Sequence, residues 1–397
     1  MMGRFVSQAS IRALALIAPL CLALLLNFLG PIAVLLTRGF QEQELPAAWP
    51  KTTAALRHWS GTGLPDEAVV ATLVGELGSS WNSGALSSVA NRLNYDLPGL
   101  RTLLFNTARA LPLPTGAAAL QALRRVDIRW GERATWAAMK HAAGPGTTFY
   151  LLAAVDRRID ADGKLISAPA AQAVFIGVFG RTFTVSAIVT LLCVALGYPV
   201  AYLLAGLPPR LANPLLILVL LPFWTSVLVR SMAWMVLLQD QGIVNHLLMR
   251  LGVIARPLQL IYNRIGVCIA MTHVLLPYFL LPLYAVMRRI PPAATRAALS
   301  LGAKPGSAFW KVYFPQTLPG ITAGALIVFI LALGYYITPA LLGGAGDQMI
   351  SYFIAYYTDQ ALNWGMAASL SLVLLAATLV LVTLYGRAAG ARQLALR

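Results

Sequence analysis

Six long apolar runs, each sufficient to cross a bilayer, decide what this chain can become. They are Ala13–Leu36, Phe183–Ala205, Leu215–Leu238, Ile265–Met287, Ile321–Leu342 and Met366–Tyr385. A hydrocarbon layer about 30 Å thick needs about 20 residues of helix. A backbone in lipid must also satisfy its own hydrogen bonds, so spanning segments of this kind are helical. The expected fold class is an all-α membrane protein with six transmembrane helices. Composition agrees: 58% of residues are hydrophobic and only 11% charged, against about 25% charged in a soluble domain. The first run follows Arg4 and Arg12 as a secretory signal would. It is too long for a signal core and no convincing small-residue cleavage site follows, so it is expected to be a retained helix.

Charge gives the orientation. With the N-terminus inside, residues 1–12, 206–214, 288–320 and 386–397 face the cytosol and hold eleven Lys and Arg with no Asp or Glu. The short outer loops 239–264 and 343–365 hold three basic and three acidic residues. Short inside loops collect Lys and Arg, so both termini are expected to be cytosolic. The net charge of +16 is then mostly a topology signal. No basic stripe with interleaved aromatics sits in a soluble part, which argues against nucleic acid as a partner.

Three parts follow: residues 1–36 with the first helix, 37–182 as an inserted extracytoplasmic domain, and 183–397 as a membrane core. The insert carries 15 Lys/Arg and 11 Asp/Glu, and a segment of this length can bury a modest core. Gly116–Val126 and Trp130–His141 read as amphipathic, and Thr147–Val155 as a strand or short helix. His58 and His141 stand alone. Asp156, Asp160 and Asp162 with Gly163 read as a turn, since a calcium loop needs more ligands at regular spacing. A structural or partner-contacting domain is expected. Cys21, Cys193 and Cys268 all fall in spans, as small buried hydrophobes with no metal spacing.

The loop 288–320 reads as a small folded device. It carries five basic residues and no acidic one. Pro291-Pro292 can open a helix, because a first turn needs no donors there. Ala293 to Leu301 is rich in helix formers, and Gly302 can close the helix in a left-handed conformation. Phe309, Trp310 and Phe314 give the next element an apolar face, which a plain polar tether would not need. A docking site for a partner is expected.

Polar residues within spans are costly and so usually functional. Arg230 either snorkels to the outer headgroups or faces an internal path with Trp224, Thr225, Ser226 and Trp234; the internal path is the expectation carried forward. His273, Tyr335, Tyr336 and Thr338 raise the same choice. Gly334 and Pro339 suggest local unwinding, which lipid tolerates only where backbone lines a cavity. The turn Gly343 to Asp347 would cap that path.

The loop also fits the pattern E-A-A-x3-G-x9-I-x-L-P of ABC importer permeases. Here it runs Arg296-Ala297-Ala298, Gly302, Val312 and Phe314-Pro315 with every spacing kept. Four further blocks stand in order: GYPVAYLLA from Gly197, PFWTSVLVRSMAW from Pro222, LLPYFLLPLYAVM from Leu275 and GYYITPALLGG from Gly334. Residues 175–390 thus resemble the spermidine/putrescine type of bacterial permease subunit. The resemblance implies the type I importer architecture in the inner membrane. It implies three partners besides membrane lipid: a second permease subunit, a cytosolic ATPase dimer holding ATP and Mg, and an extracytoplasmic substrate-binding protein. The loop would dock in the ATPase through Arg296, Ala297, Ala298, Gly302, Val312, Phe314 and Pro315. The solute would be a polyamine, related permeases taking opines, amino acids or iron. Two departures stand out: Arg296 replaces the motif glutamate, and the insert 37–182 exceeds the usual first outer loop, its role not covered by the resemblance.

Other classes fit less well. All 14 Asp and Glu lie outside the spans, so an ion-coupled carrier lacks its usual intramembrane carboxylates. A channel would leave the ordered loop without purpose. No G-x4-G-K-[ST] occurs, so no ATPase site, cofactor or metal is expected on this chain.

Overall fold

The computed structural model describes residues 8–395, with side chains from 16 to 387. The expected cytosolic ends, residues 1–7 and 396–397, lie outside the described residues. The chain divides into two compact units: residues up to Val174 with Tyr357–Val373, and Phe175–Tyr356 with the segment from Leu374.

Helices dominate the first unit. Its core gathers Leu45, Leu56, Leu73, Leu77, Val89, Leu93, Leu103 and Leu104 around four buried tryptophans, Trp49, Trp59, Trp130 and Trp136. Three of the indoles find an acceptor: Trp49 donates to Ser80 Oγ at 3.0 Å, Trp130 to Thr107 Oγ1 at 2.9 Å and Trp136 to the Trp130 carbonyl at 2.9 Å, while Trp59 Nε1 takes none among the described residues. Buried indoles usually find such a partner. The amphipathic stretches form helices at Ala119–Val126 and Arg133–His141, and Thr147–Val155 settles as the helix Phe149–Ala154. Asp160 shapes a hairpin between Arg157–Ile159 and Leu165–Ser167 by accepting from the N–H groups of Asp162 and Lys164.

Arg92 is buried among acids. It donates to Glu42 Oε2 at 2.7 Å and pairs with Asp96 at 2.8 Å, its guanidinium 4.1 Å from the Phe149 ring centre. Burial outweighs the attraction of Arg92 and pushes Glu42 up to about 8; desolvation disfavours a carboxylate more than a shared cation restores it.

The first apolar run ends in this unit as the helix Leu16–Arg38, with Leu20 and Phe28 exposed. Five helices are long and apolar enough to span: Leu16–Arg38, Phe175–Gly206, Arg264–Met287, Pro305–Leu333 and Trp364–Arg387. The second starts at Phe175, earlier than the expected Phe183.

The third and fifth spans need correction. Leu215–Leu238 is not one straight helix but a pair, Pro209–Trp224 and Val227–Arg250, bent by 97°. Pro222 sits in a closing 3-10 turn, and Ser226 restarts the helix by accepting from the Leu228 N–H. A helix cannot run through a proline that is followed by a good N-cap. The fifth span ends at Leu333, not Leu342; Gly334 to Tyr336 leave the helix before Ile337–Leu342 restarts it. Ser351 Oγ donates to the Leu333 carbonyl freed by this break, at 3.1 Å.

The helices Phe175–Gly206, Arg264–Met287 and Phe314–Leu333 form the core of the second unit around Val189, Cys193, Leu275, Phe279 and Val328. Phe279 fills space left by two glycines. A Cβ on Gly324 would lie 2.7 Å from the Phe279 carbonyl oxygen, and one on Gly197 would lie 2.5 Å from its ring. Without a hydrophobic force between helices in lipid, such close approach is what holds them.

Candidate functional site

Within the second unit, two groups of side chains carry the chemistry. The first is the loop after Met287. Pro291 is extended, and Pro292 at the first position opens the helix Pro292–Ser300. Gly302 closes it with φ of +86°. Its N–H donates to the Leu299 carbonyl and that of Ala303 to Ala298, both at 3.0 Å. This Schellman arrangement satisfies carbonyls that the helix end leaves open. No residue of the helix is buried, and Arg296 and Ala297 are exposed.

The following element is tied to its own unit. Phe309 and Phe314 pack on Tyr198 at 6.3 and 5.7 Å between ring centres, and Phe309 and Tyr313 on Tyr202 at 5.6 and 5.4 Å. This corrects the expectation that Phe309 and Phe314 present an apolar face outward. The outward apolar set is Leu299, Leu301 and Trp310, at 42%, 88% and 62% exposure. Val312 and Pro315 are half-buried at the base. Beside the helix lies a cleft of about 750 Å³ lined by Tyr202, Leu207, Met287, Pro292, Arg296 and Tyr313. Tyr198 and Tyr202 escaped sequence reasoning; their signal is the i, i+4 tyrosine pair in the Gly197 block.

The second group surrounds the two helix breaks. Ser231 and Thr338 hydroxyls meet at 2.8 Å, and Trp234 Nε1 donates to His273 Nδ1 at 3.1 Å. Tyr335 lies beside Thr338, and Arg230 lies near both His273 and Tyr335. The guanidinium Nε and Nη1 of Arg230 are buried and take no hydrogen-bond partner among the described residues. The fold thus gathers Arg230, Trp234, His273, Tyr335 and Thr338, and adds Ser231. Tyr278 packs on the same core cluster as Tyr335 and was missed; its signal was a tyrosine between two prolines in mid-span.

The remaining candidates stand apart. Trp224 is 71% exposed, and Thr225 and Ser226 commit their hydroxyls to backbone groups at the bend. Tyr336 is exposed beside Tyr352. The turn Ala345–Asp347 is held by the Arg264–Asp347 ion pair at 3.2 Å. Chemically, the gathered group offers hydroxyls, aromatic faces and one cation. It can bind and pass a polar solute, but it contains no nucleophile with an adjacent base. No group of three or more potential metal ligands occurs among the described residues.

Comparison with known proteins places these features. Residues 195–390 match the family model of the binding-protein-dependent transport system inner membrane component. The spermidine/putrescine transport system permease protein PotB of Haemophilus influenzae is 35% identical over 204 residues, covering 51% of this chain and 71% of that one. The inner membrane ABC transporter permease protein YdcU of Escherichia coli is 32% identical over 223 residues, covering 52% and 68%. A solved bacterial ABC transporter involved in the import of alginate covers 54% of this chain and 78% of its own, with TM-score 0.44 and 18% identity. The chain is a multi-pass inner-membrane protein and belongs to the binding-protein-dependent family of ABC importer permease subunits.

Proposed function

We propose that this chain forms half of the translocation pathway of an ATP-driven importer. The exposed helix Pro292–Ser300 docks in a cytosolic ATPase, so that hydrolysis on that separate subunit moves the spans. One observation carries this reading: a nine-residue helix, capped at Gly302 and with no buried residue, projects between two membrane helices. A short isolated helix has little stability of its own, so a cap and a rigid aromatic base make sense only for an element that bears force. The base supplies that rigidity through Phe309, Tyr313 and Phe314 on Tyr198 and Tyr202. A second permease subunit completes the pathway and a binding protein delivers the solute. Arg296 in place of the motif glutamate asks for an acidic contact on the ATPase.

The solute of first choice is a polyamine, on the strength of the PotB relatives. A second reading, a solute with a carboxylate such as an amino acid or opine, is favoured by the unpaired Arg230 guanidinium. Reconstitution with the ATPase and binding protein tests both. ATP-dependent uptake of putrescine or spermidine supports the first, uptake of a carboxylate supports the second, and no ATP-dependent uptake of either overturns the importer reading. Loop function is tested separately: Gly302→Asp is expected to abolish coupling while the chain still inserts.

A further inference from the structure

A cleft in the first unit has no part in the transport reading. It encloses about 470 Å³ and is lined by Phe40, Asp96, Thr147, Phe149, Leu152 and Arg158, among others. That volume lies within the range of about 300–1,000 Å³ common for small-molecule sites. A smaller hollow of about 110 Å³ shares Asp96, His141, Arg158 and Ile159 as a wall. Three elements therefore converge on one polar partition: the end of the helix Leu86–Asp96, the end of the helix Arg133–His141, and the strand Arg157–Ile159.

The partition holds charges of both signs, and they differ in how they are engaged. Asp96 is engaged by Arg92 through Oδ2 at 2.8 Å, and Glu42 is held by the same guanidinium. Asp160, at the edge of the smaller hollow, gives Oδ1 to the backbone of its own turn. Arg158 has no such partner. Its Nε is buried without a hydrogen bond, and no ion pair is recorded for it among the described residues. A buried donor on a cation left open is costly, which marks the place where an acceptor belongs. Thr147 already accepts from the Phe149 N–H at 3.0 Å, so its hydroxyl proton is free to donate. Facing these donors are the apolar walls of Phe40, Phe149 and Leu152.

We infer that this cleft binds a small organic carboxylate with an apolar body. The carboxylate takes the guanidinium of Arg158 and the Thr147 hydroxyl, and the body lies against Phe40, Phe149 and Leu152. Asp96 already pairs with Arg92 through Oδ2, whereas Arg158 has no partner among the described residues, so the open group of the cleft is a cation and calls for an anion. The inference does not rest on what the membrane unit transports.

Calorimetric titration of the purified full chain in detergent tests it, with 3-phenylpropionate, its uncharged amide and putrescine as probes. The acid is expected to bind, with the amide weaker by at least about tenfold, since hydrogen bonds to charged groups carry that much. Any binding of putrescine is expected to be unaffected by Arg158→Gln or Leu152→Trp. Arg158→Gln should weaken the acid about tenfold or more and leave the melting temperature of the unliganded chain unchanged. Should Arg158→Gln fail to fold, Leu152→Trp, which fills the cleft from its apolar wall, is expected to abolish binding of the acid. Equal binding of acid and amide, no binding of the acid at millimolar concentration, or unchanged binding of the acid in either folded variant overturns the inference.

Discussion

Gly302 offers a graded test of the loop. Its φ is +86° and a Cβ built there meets nothing within 4 Å. Substitution therefore brings no clash, and its whole cost is that of a left-handed backbone, roughly 1–2 kcal/mol for an ordinary L-residue. Asparagine tolerates this region best and a β-branched residue worst. Aspartate adds a negative charge at a helix C-terminus, a further 0.3–1 kcal/mol or so in the wrong direction. The helix has nine residues and no buried one, so this cost falls on an element with little in reserve. A loss of 1–2 kcal/mol lowers the population of the closed cap about 5- to 30-fold. Hydrogen exchange over residues 292–303 should accelerate by that factor, in the order Asn, Ala, Val. ATP-dependent uptake should fall in the same order, with Asp at or beyond Ala. If Val supports uptake as well as Asn does, or if exchange is unchanged, the cap is not what transmits force.

Further outcomes follow from single contacts. Gly324→Ala places a Cβ 2.7 Å from the Phe279 carbonyl oxygen; it should destabilise the second unit by about 1–3 kcal/mol in detergent unfolding. Arg230→Met removes a buried cation with two unpaired nitrogens. It should leave thermal stability unchanged or raise it by about 1–3 kcal/mol while uptake falls; uptake at the native level would remove Arg230 from the pathway. Glu42, with its pKa pushed from 4.5 up to about 8, keeps in the folded state a proton that the unfolded chain releases. The folded state binds more protons across that window, so this contribution is full below pH 4.5 and fades as pH rises towards about 8. Melting temperatures between pH 5 and 8.5 should show the decline, and Glu42→Gln should flatten it. Arg92→Ala takes the donor from Glu42 Oε2 and the partner from Asp96 and should cost about 1–3 kcal/mol, measured by denaturant unfolding.

Local chemistry made some of this legible from residues alone. Pro292, the alanine-rich turn and Gly302 specify a short capped helix without help from elsewhere, and the structure has it. The break at Gly334 was readable because glycine and Pro339 bracket it. The bend at Thr225-Ser226 was hidden by the apolar residues around it, although Pro222 and Ser226 are the stop and restart signals. Distant partners were out of reach. Phe309 and Phe314 looked like an outward face because Tyr198 and Tyr202, which cover them, lie more than a hundred residues earlier. Arg92 and Glu42 are joined across fifty residues, and no periodicity records such a pair. The gathering of Arg230, His273 and Tyr335 needs the packing of three separate spans; spacing on one helix could show only that Arg230 and Trp234 share a side.

Labelling a cysteine at Ala297 tests the central claim most directly. Cys193 and Cys268 are buried and Cys21 is exposed, so Ala297→Cys in a Cys21→Ser background gives a single reactive thiol. A membrane-impermeant maleimide should modify it in inside-out vesicles, should fail in right-side-out vesicles, and should be blocked when the ATPase is added. Modification from the external face, or labelling that the ATPase leaves untouched, contradicts the account.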